Sequence, residues 1–155
     1  MNTPRPDLEA PGGIRVPTDR LYTRTHLWLL PLPDRPRGYR LGVSAYACRW
    51  GIEVYFLENV PPPGTAVEPG SPLGDIETEK AAAQLPSPLA GRIAGVNEAV
   101  LADPSIITFD GYGAGWILEL EGEPVDLLTA AEYVAYLATL PPPQCFVKRA
   151  DELSP

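Results

Sequence analysis

Residues 71–91 read SPLGDIETEKAAAQLPSPLAG, and two short strand-like runs within this stretch meet at one point. The runs are Leu73–Thr78 and Ala82–Leu85, and turn-forming Gly and Pro residues bound them. The bend between the runs falls at Glu79 and Lys80. Because side chains alternate between the two faces of a strand, a lysine at the bend belongs to neither face and projects into solvent. The stretch therefore predicts a β-hairpin that presents Lys80.

Lys80 is one of only two lysines in a chain with 12 basic residues, and the other is Lys148 near the C-terminus. An isolated exposed lysine is most often a solvated surface charge. Neighbouring Glu77 and Glu79 stabilise the ammonium form, which is a poor nucleophile, so a role as catalytic base or Schiff-base lysine is disfavoured. The position instead suits a lysine that another enzyme modifies, with Glu77 and Glu79 as the recognition features for that enzyme.

Outward from the hairpin, short apolar runs separated by turn residues predict a small, mainly β unit. The other predicted strands are His26–Leu32, Tyr39–Val43, Ile52–Leu57, Gly91–Val96 and Trp116–Leu120. Ser44 is a possible N-cap and Gly51 a stop signal for one or two helical turns. After Pro124 the apolar residues recur at three- and four-residue spacing, and Thr129 with Glu132 forms a predicted capping box, so we expect an amphipathic terminal helix against the sheets. The apolar residues of that helix are Leu127, Leu128, Ala131, Val134, Ala135 and Ala138.

The 20 prolines of the 155-residue chain mark its predicted organisation. Residues 1–20 contain four prolines and little hydrophobic periodicity, which predicts a flexible N-terminal tail. Pro141 opens a three-proline run that a helix cannot cross, so residues 141–155 are predicted to form a flexible C-terminal tail. Residues 21–140 remain as one domain.

Composition excludes several classes of function. With 45% hydrophobic and 21% charged residues, the chain is apolar enough to form a core, and the formal net charge of −8 disfavours binding to nucleic acid or to an anionic membrane surface. No apolar run is long enough to span a membrane, and the N-terminus lacks a signal-peptide core, so we expect a cytoplasmic protein. Two separated cysteines and a single histidine, His26, argue against a disulfide scaffold and against a metal site.

The lysine hairpin resembles the attachment hairpin of lipoyl-bearing domains. Gly64, Lys80 and Gly91 share its spacing, and the segments around the lysine, Glu77-Thr-Glu-Lys-Ala and Ser87-Pro-Leu-Ala-Gly-Arg-Ile, are similar to it. The methionines that flank the lysine of biotin carriers are absent from Glu79-Lys80-Ala81, which favours lipoate.

Further segments resemble, in order, landmarks of the glycine cleavage system H-protein family over residues 21–140. They are Tyr22-Thr-Arg-Thr-His-Leu-Trp, Gly42-Val-Ser-Ala-Tyr-Ala, Asn97-Glu-Ala-Val-Leu, Gly111-Tyr-Gly-Ala-Gly-Trp-Ile and Leu127-Leu-Thr-Ala-Ala-Glu-Tyr-Val-Ala-Tyr-Leu. Lipoyl domains of dehydrogenase complexes share the hairpin but lack the Gly-Trp segment and the terminal helix.

This resemblance implies a barrel-sandwich hybrid fold and a lipoyl group joined to Lys80 by an amide. It implies a carrier that catalyses no reaction itself and takes the arm from one partner enzyme to the next. The implied partners are a lipoate ligase or lipoyltransferase for attachment, followed by glycine decarboxylase, aminomethyltransferase and dihydrolipoamide dehydrogenase.

Three positions depart from the family pattern. The family histidine beside the cleft that receives the arm corresponds to His26, but the Glu usual after it is Leu27. The Asp usual before the following Tyr-Ala or His-Ala pair is Ala45, and a Glu usual between the glycines before the tryptophan is Ala114. Leu27 and Ala45 remove carboxylates that would help hold a positively charged loaded arm.

These departures leave two alternatives open beside a glycine cleavage carrier. One is a related lipoate-binding protein that serves a sulfur-oxidising, heterodisulfide-reductase-like complex, where the cargo needs no balancing carboxylate. The other is an interaction module that is never lipoylated. An enzyme is disfavoured because one histidine without a nucleophile and orienting group offers no catalytic constellation.

Overall fold

The computed structural model describes residues 7–141, and within them eleven strands form three antiparallel sheets. The strands are β1 (Leu8–Ala10), β2 (Ile14–Val16), β3 (Leu21–Tyr22), β4 (Leu27–Pro31), β5 (Gly38–Val43), β6 (Val54–Glu58), β7 (Ala66–Val67), β8 (Pro72–Thr78), β9 (Ala82–Pro86), β10 (Leu89–Val96) and β11 (Leu118–Pro124). The helices are a 3-10 helix (Ala45–Gly51), α1 (Glu98–Ala102), α2 (Ser105–Asp110) and α3 (Ala130–Thr139). None of the helices within residues 7–141 is long and apolar enough to cross a membrane.

The two larger sheets enclose the main core. The six-stranded sheet has the order β3-β4-β5-β11-β10-β7, and the three-stranded sheet has the order β6-β8-β9. Leu41, Ile93 and Leu120 of the first sheet and Leu73 and Leu85 of the second belong to one buried cluster. This arrangement confirms the predicted mainly β, barrel-sandwich hybrid fold, with burial of apolar side chains as its main stabilising contribution.

The backbones of β10 and β11 lie so close together at one pair of opposite residues that neither residue has room for a side chain. Gly91 lies opposite Gly122 in the register of the pair. A Cβ on Gly91 would overlap the carbonyl oxygen of Glu121. The second glycine of the lipoyl-like spacing is therefore required by close backbone contact.

The central strands of the sequence analysis exist, with shifted ends. The predicted strand at 116–120 begins later, at Leu118, and continues to Pro124, because Gly122 with φ 156° allows the extended ladder to continue past Leu120. His26 lies outside β4, contrary to the predicted strand His26–Leu32. Ser44 caps the short helix as predicted, accepting a hydrogen bond from the Tyr46 N–H. The short elements β3, β7, α1 and α2 were not predicted.

The N-terminal segment departs from the predicted flexible tail. Residues 8–16 form the β1–β2 hairpin, whose turn contains Gly12 and Gly13 with φ of 90° and 77°. Ala10, Ile14 and Val16 are buried in a second apolar cluster. An alternation of apolar residues on either side of a Gly-Gly turn specifies this hairpin more strongly than the surrounding prolines oppose it.

Helix α3 packs against this second cluster. The capping box is confirmed, since Thr129 accepts from the Glu132 N–H and the Glu132 carboxylate accepts from the Thr129 N–H. The buried face consists of Ala130, Tyr133 and Leu137, whereas the predicted stripe residues Ala131, Ala135 and Ala138 are exposed. The larger side chains select the buried face because they remove more apolar area from water than alanine does. The predicted C-terminal tail lies outside the described residues except for Pro141.

Candidate functional site

The turn between β8 and β9 is held by one threonine. The Thr78 N–H donates to the Ala81 carbonyl at 2.9 Å, which closes the hairpin. The Thr78 hydroxyl oxygen accepts from the Lys80 N–H at 3.1 Å and from the Ala81 N–H at 3.2 Å. These bonds fix the backbone of Lys80 at the tip of the hairpin. Lys80 is exposed there, as predicted.

The two glutamates of the turn have different surroundings. The Glu79 carboxylate accepts a hydrogen bond from the Glu53 N–H at 3.1 Å, which joins the tip to the chain entering β6. Glu77 is half-buried on β8, with Phe56 opposite it on one neighbouring strand and Ala82 on the other. Glu79 therefore anchors the turn in addition to any contact with a modifying enzyme.

A groove of about 430 Å³ lies beside the hairpin and includes Lys80 in its lining. This lysine groove lies between the β3–β4 turn, the 3-10 helix and the β8–β9 hairpin. Its apolar lining residues include Leu27, Val43, Val54, Ile76 and Leu85. Its volume is in the range of pockets that hold small ligands, and its apolar walls suit an aliphatic chain.

His26 lines the same groove, in a turn. Its φ of 70° is left-handed, and its N–H donates to the Thr23 carbonyl at 3.1 Å, as in hairpin turns that end on a left-handed residue. The imidazole stacks on Tyr46 with 4.2 Å between ring centroids. Burial, with a smaller contribution from the charge of Arg49, lowers the pKa of His26 from 6.5 to about 4. The imidazole is therefore neutral at pH 7.

The buried Tyr133 hydroxyl holds the His26 ring and is itself bonded to the Ser44 hydroxyl. The Tyr133 hydroxyl oxygen lies 2.8 Å from His26 Nδ1 and 2.7 Å from Ser44 Oγ. Burial raises the pKa of Tyr133, so this phenol stays protonated. Because Tyr133 belongs to α3, the C-terminal helix fixes one side of the lysine groove.

Arg49 contributes a positive charge to the groove. One of its terminal N–H groups donates to the Tyr46 carbonyl at 2.5 Å, and its guanidinium carbon lies 3.9 Å from the centre of the Tyr46 ring. Among the described side chains of the lining, the charged ones are Arg49 and Lys80. Arg49, Tyr133 and Thr78 carry no sequence signal for these roles, because only long-range contacts and turn hydrogen bonds define them.

Leu27 and Ala45, which are predicted to share the arm cleft with His26, line different grooves in the structure. Leu27 lines the lysine groove and is 1% exposed, packed into the main core. Ala45 instead lines a second groove of about 220 Å³ on the other side of the 3-10 helix, and its N–H donates to the Tyr112 hydroxyl at 2.9 Å. The contribution of Ala45 to the cleft that receives the arm stays a prediction.

Comparison with known proteins identifies the family. The family model described as "Glycine cleavage H-protein" matches residues 20–139. The chain belongs to the glycine cleavage H-protein family. Its similarity extends over most of the length of individual members.

The chain is 39% identical over 128 residues to the glycine cleavage system H protein of Myxococcus xanthus, covering 79% of this chain and 95% of that protein. It is 38% identical over 124 residues to the glycine cleavage system H protein of Thermosynechococcus vestitus, covering 79% and 94%. A crystal structure of a glycine cleavage system H protein from Mycobacterium marinum matches with a TM-score of 0.70 and 34% identity, covering 77% of this chain and 97% of that one.

Membership of the glycine cleavage H-protein family supports the role of a lipoyl carrier and points to partners within the glycine cleavage system. The family consists of carriers and not of catalysts. The β1–β2 hairpin precedes the matched residues, so it is an addition to the segment that the family model describes.

Proposed function

We propose that the chain is a lipoyl carrier that is modified on Lys80 and moves its arm between partner enzymes. The observation that carries the proposal is that Lys80 stands at an exposed hairpin tip and also lines an apolar groove. An exposed tip can enter the active site of another enzyme, and an adjoining apolar groove can receive an aliphatic arm when it returns. Attachment requires a lipoate ligase or lipoyltransferase.

The residues present fit a lipoyl group. Thr78 fixes the backbone at the attachment point, and Leu27 and Leu85 supply apolar walls. When bound, a lipoyl group supplies a redox-active pair of sulfur atoms on a flexible tether. This chain's own residues hold the tether, present it and exclude water from part of it, and tethering raises the effective concentration of the cargo at each partner.

The proposed partners after attachment are glycine decarboxylase, aminomethyltransferase and dihydrolipoamide dehydrogenase. The formal charge of −8 favours encounter with basic surfaces on such partners, and Glu77 and Glu79 place negative charge beside the attachment point. The encounter rate should therefore fall as salt is added.

Intact-mass measurement after incubation with lipoate, ATP and a lipoate ligase tests the proposal. We expect one lipoyl group on the unmodified sequence, one on Lys148→Arg, and none on Lys80→Arg. Because both variants lose one lysine and keep the charge, Lys148→Arg is a matched control. A lipoyl group on Lys80→Arg would overturn the assignment.

A further inference from the structure

The three-stranded sheet β6-β8-β9 has an outer side that faces away from the main core. Val54, Leu57 and Ile76 point inward and are buried in that core. Because side chains alternate along a strand, the residues next to them point outward. Two rows of paired residues cross all three strands on this side, Phe56–Glu77–Ala82 and Glu58–Asp75–Gln84. These six residues form the outer sheet face, and each of them is exposed or half-buried.

A β-bulge places an aromatic side chain on the outer sheet face. Val54 pairs with Thr78 and Phe56 pairs with Glu77, so Tyr55 is an extra residue in β6. Without the extra residue, strict alternation would give Phe56 the inward orientation of Val54. With it, Tyr55 and Phe56 are consecutive and are 50% and 55% exposed. Because bulges re-aim side chains beside functional sites, the exposure of Phe56 is a property of the strand that calls for a partner.

The outer sheet face is acidic. Its charged residues are Glu58, Asp75 and Glu77, and the strands β6, β8 and β9 contain no lysine or arginine. The ion pairs between described residues of the chain use other carboxylates. The Asp75 carboxylate accepts a hydrogen bond from the neutral side-chain amide of Asn59 at 2.8 Å, which leaves its negative charge in place. Such a surface attracts a partner that carries basic residues.

The outer sheet face is joined to Lys80 by the two strands of the hairpin. Glu77 and Ala82 are the last pair of the β8–β9 ladder before the turn that presents the lysine. An enzyme that encloses the tip must therefore also approach the outer sheet face. An aromatic side chain among charged ones is a composition typical of docking surfaces, in which an aromatic centre becomes buried and a charged rim surrounds it.

We propose that the outer sheet face is the docking surface for the enzyme that attaches lipoate to Lys80, an inference that rests on the proposed function. Phe56 enters an apolar pocket of that enzyme, and Glu58, Asp75 and Glu77 face basic residues around the pocket. Burial of the Phe56 ring provides affinity, whereas the carboxylates increase the rate of encounter. Selection of Lys80 then depends on the folded sheet in addition to the turn.

The first test measures kcat/KM for lipoylation by intact mass, with lipoate, ATP and a purified lipoate ligase. We expect Phe56→Ser to lower kcat/KM about tenfold, mainly through KM, because it removes the aromatic centre of the docking surface. Phe109→Ser is the matched control. Phe109 lies on α2, outside the sheet, and is 79% exposed, so its loss should leave kcat/KM unchanged.

The charge of the outer sheet face is tested separately. Glu58→Gln should lower kcat/KM about threefold at low salt. The difference from the original sequence should disappear at about 1 M salt, where the Debye length is about 3 Å. Glu98→Gln is the matched control, because it removes an exposed carboxylate of α1 that lies outside the outer sheet face, and it should leave kcat/KM unchanged.

Binding is measured apart from the reaction with Lys80→Arg, which keeps the outer sheet face and has no lysine at the tip. This variant should inhibit lipoylation of the original sequence by competing for the ligase. Adding Phe56→Ser to Lys80→Arg should raise the inhibition constant about tenfold, whereas adding Phe109→Ser should not change it.

An unchanged kcat/KM in Phe56→Ser, or an equal loss in Phe109→Ser, would overturn the docking inference. The ¹H–¹⁵N amide spectrum of each variant reports whether it is folded. If Phe56→Ser is not folded, the comparison of Glu58→Gln with Glu98→Gln decides, and equal kcat/KM values for these two variants at low salt would overturn the inference. Absence of lipoylation on the original sequence would instead overturn the proposed function itself.

Discussion

The β1–β2 and β8–β9 hairpins serve opposite purposes. In the β1–β2 hairpin, Ala10, Ile14 and Val16 face the second apolar cluster and are buried. In the β8–β9 hairpin, Ala82, Ala83 and Gln84 are exposed, and Leu85 is the first residue of β9 to enter the core. One hairpin stabilises the fold by burying side chains, and the other keeps its outer end out of the core.

The difference lies in how each tip is stabilised. The first turn uses the left-handed backbone of Gly12 and Gly13 and a hydrogen bond from the Gly13 N–H to the Ala10 carbonyl, and the strands that it joins depend on tertiary packing. The second tip is held by the hydrogen bonds that the Thr78 hydroxyl accepts from the Lys80 and Ala81 N–H groups, and by the bond from the Glu53 N–H to Glu79. Because these bonds hold the tip, Lys80 can stay exposed without being packed into the core. The β1–β2 hairpin therefore contributes to stability, and the β8–β9 hairpin exposes the lysine.

The largest expected effect is on the packed hairpin. Ile14→Ala removes a side chain that is 5% exposed, and we expect it to lower the free energy of unfolding by about 2–4 kcal/mol. Gln84→Ala, on the presented hairpin, should change it by less than about 0.5 kcal/mol. Urea denaturation of both variants measures the contrast. Equal losses would show that the two hairpins do not differ in this way.

A smaller effect is expected from the pH dependence of His26. Its pKa is lowered to about 4 in the folded chain from 6.5, so the unfolded chain binds a proton first as the pH falls. The stability contribution of the neutral ring is therefore present above pH 6.5 and is lost as the pH falls toward 4. We expect the free energy of unfolding to fall by about 1–2 kcal/mol over this pH range, a value reduced to allow for the partial solvent exposure of the ring.

His26→Asn is the matched variant, because asparagine tolerates the left-handed backbone of this turn. Urea denaturation at several pH values should show a flatter profile between pH 6.5 and 4 for the variant than for the original sequence. Parallel profiles would mean that the His26 ring titrates alike in the folded and unfolded chains.

The smallest effect on stability is expected at the presented tip. Thr78→Val removes the hydroxyl that accepts from the Lys80 and Ala81 N–H groups, and both groups can bond to water instead. The free energy of unfolding should fall by about 0.5–1 kcal/mol, whereas the rate of lipoylation should fall more clearly because the lysine backbone is less ordered. Thr78→Ser keeps the hydroxyl and should restore the rate. A normal rate in Thr78→Val would show that the turn needs no side-chain bond.

The contrast also explains what could be predicted from the sequence. The hairpin around Lys80 was predictable because its two strand runs and its turn are contiguous in the chain. The capping box at Thr129 was predictable for the same reason. The β1–β2 hairpin was missed because its strands have three residues each, and four prolines in residues 1–20 masked a short alternation of apolar residues.

The remaining features of the groove depend on distant contacts. His26 and Tyr133 are 107 positions apart, and Ser44 and Tyr133 are 89 apart, so local periodicity cannot reveal their hydrogen-bonded group. The left-handed turn at His26 also carries no glycine signal. Arg49 lines the groove because it lies on the side of the 3-10 helix that faces the groove. That orientation is set by packing and cannot be read from the sequence.

The central claim is that Lys80 is modified because of its position at the tip, and moving the lysine by one residue tests it most directly. The double variant Lys80→Ala with Ala81→Lys keeps the composition of the hairpin and displaces the lysine from the tip toward β9. Peptide-level mass spectrometry after incubation with lipoate, ATP and a lipoate ligase should find the lipoyl group on Lys80 of the original sequence and none on the displaced lysine. Full lipoylation of the displaced lysine, or none on Lys80 of the original sequence, would contradict the account.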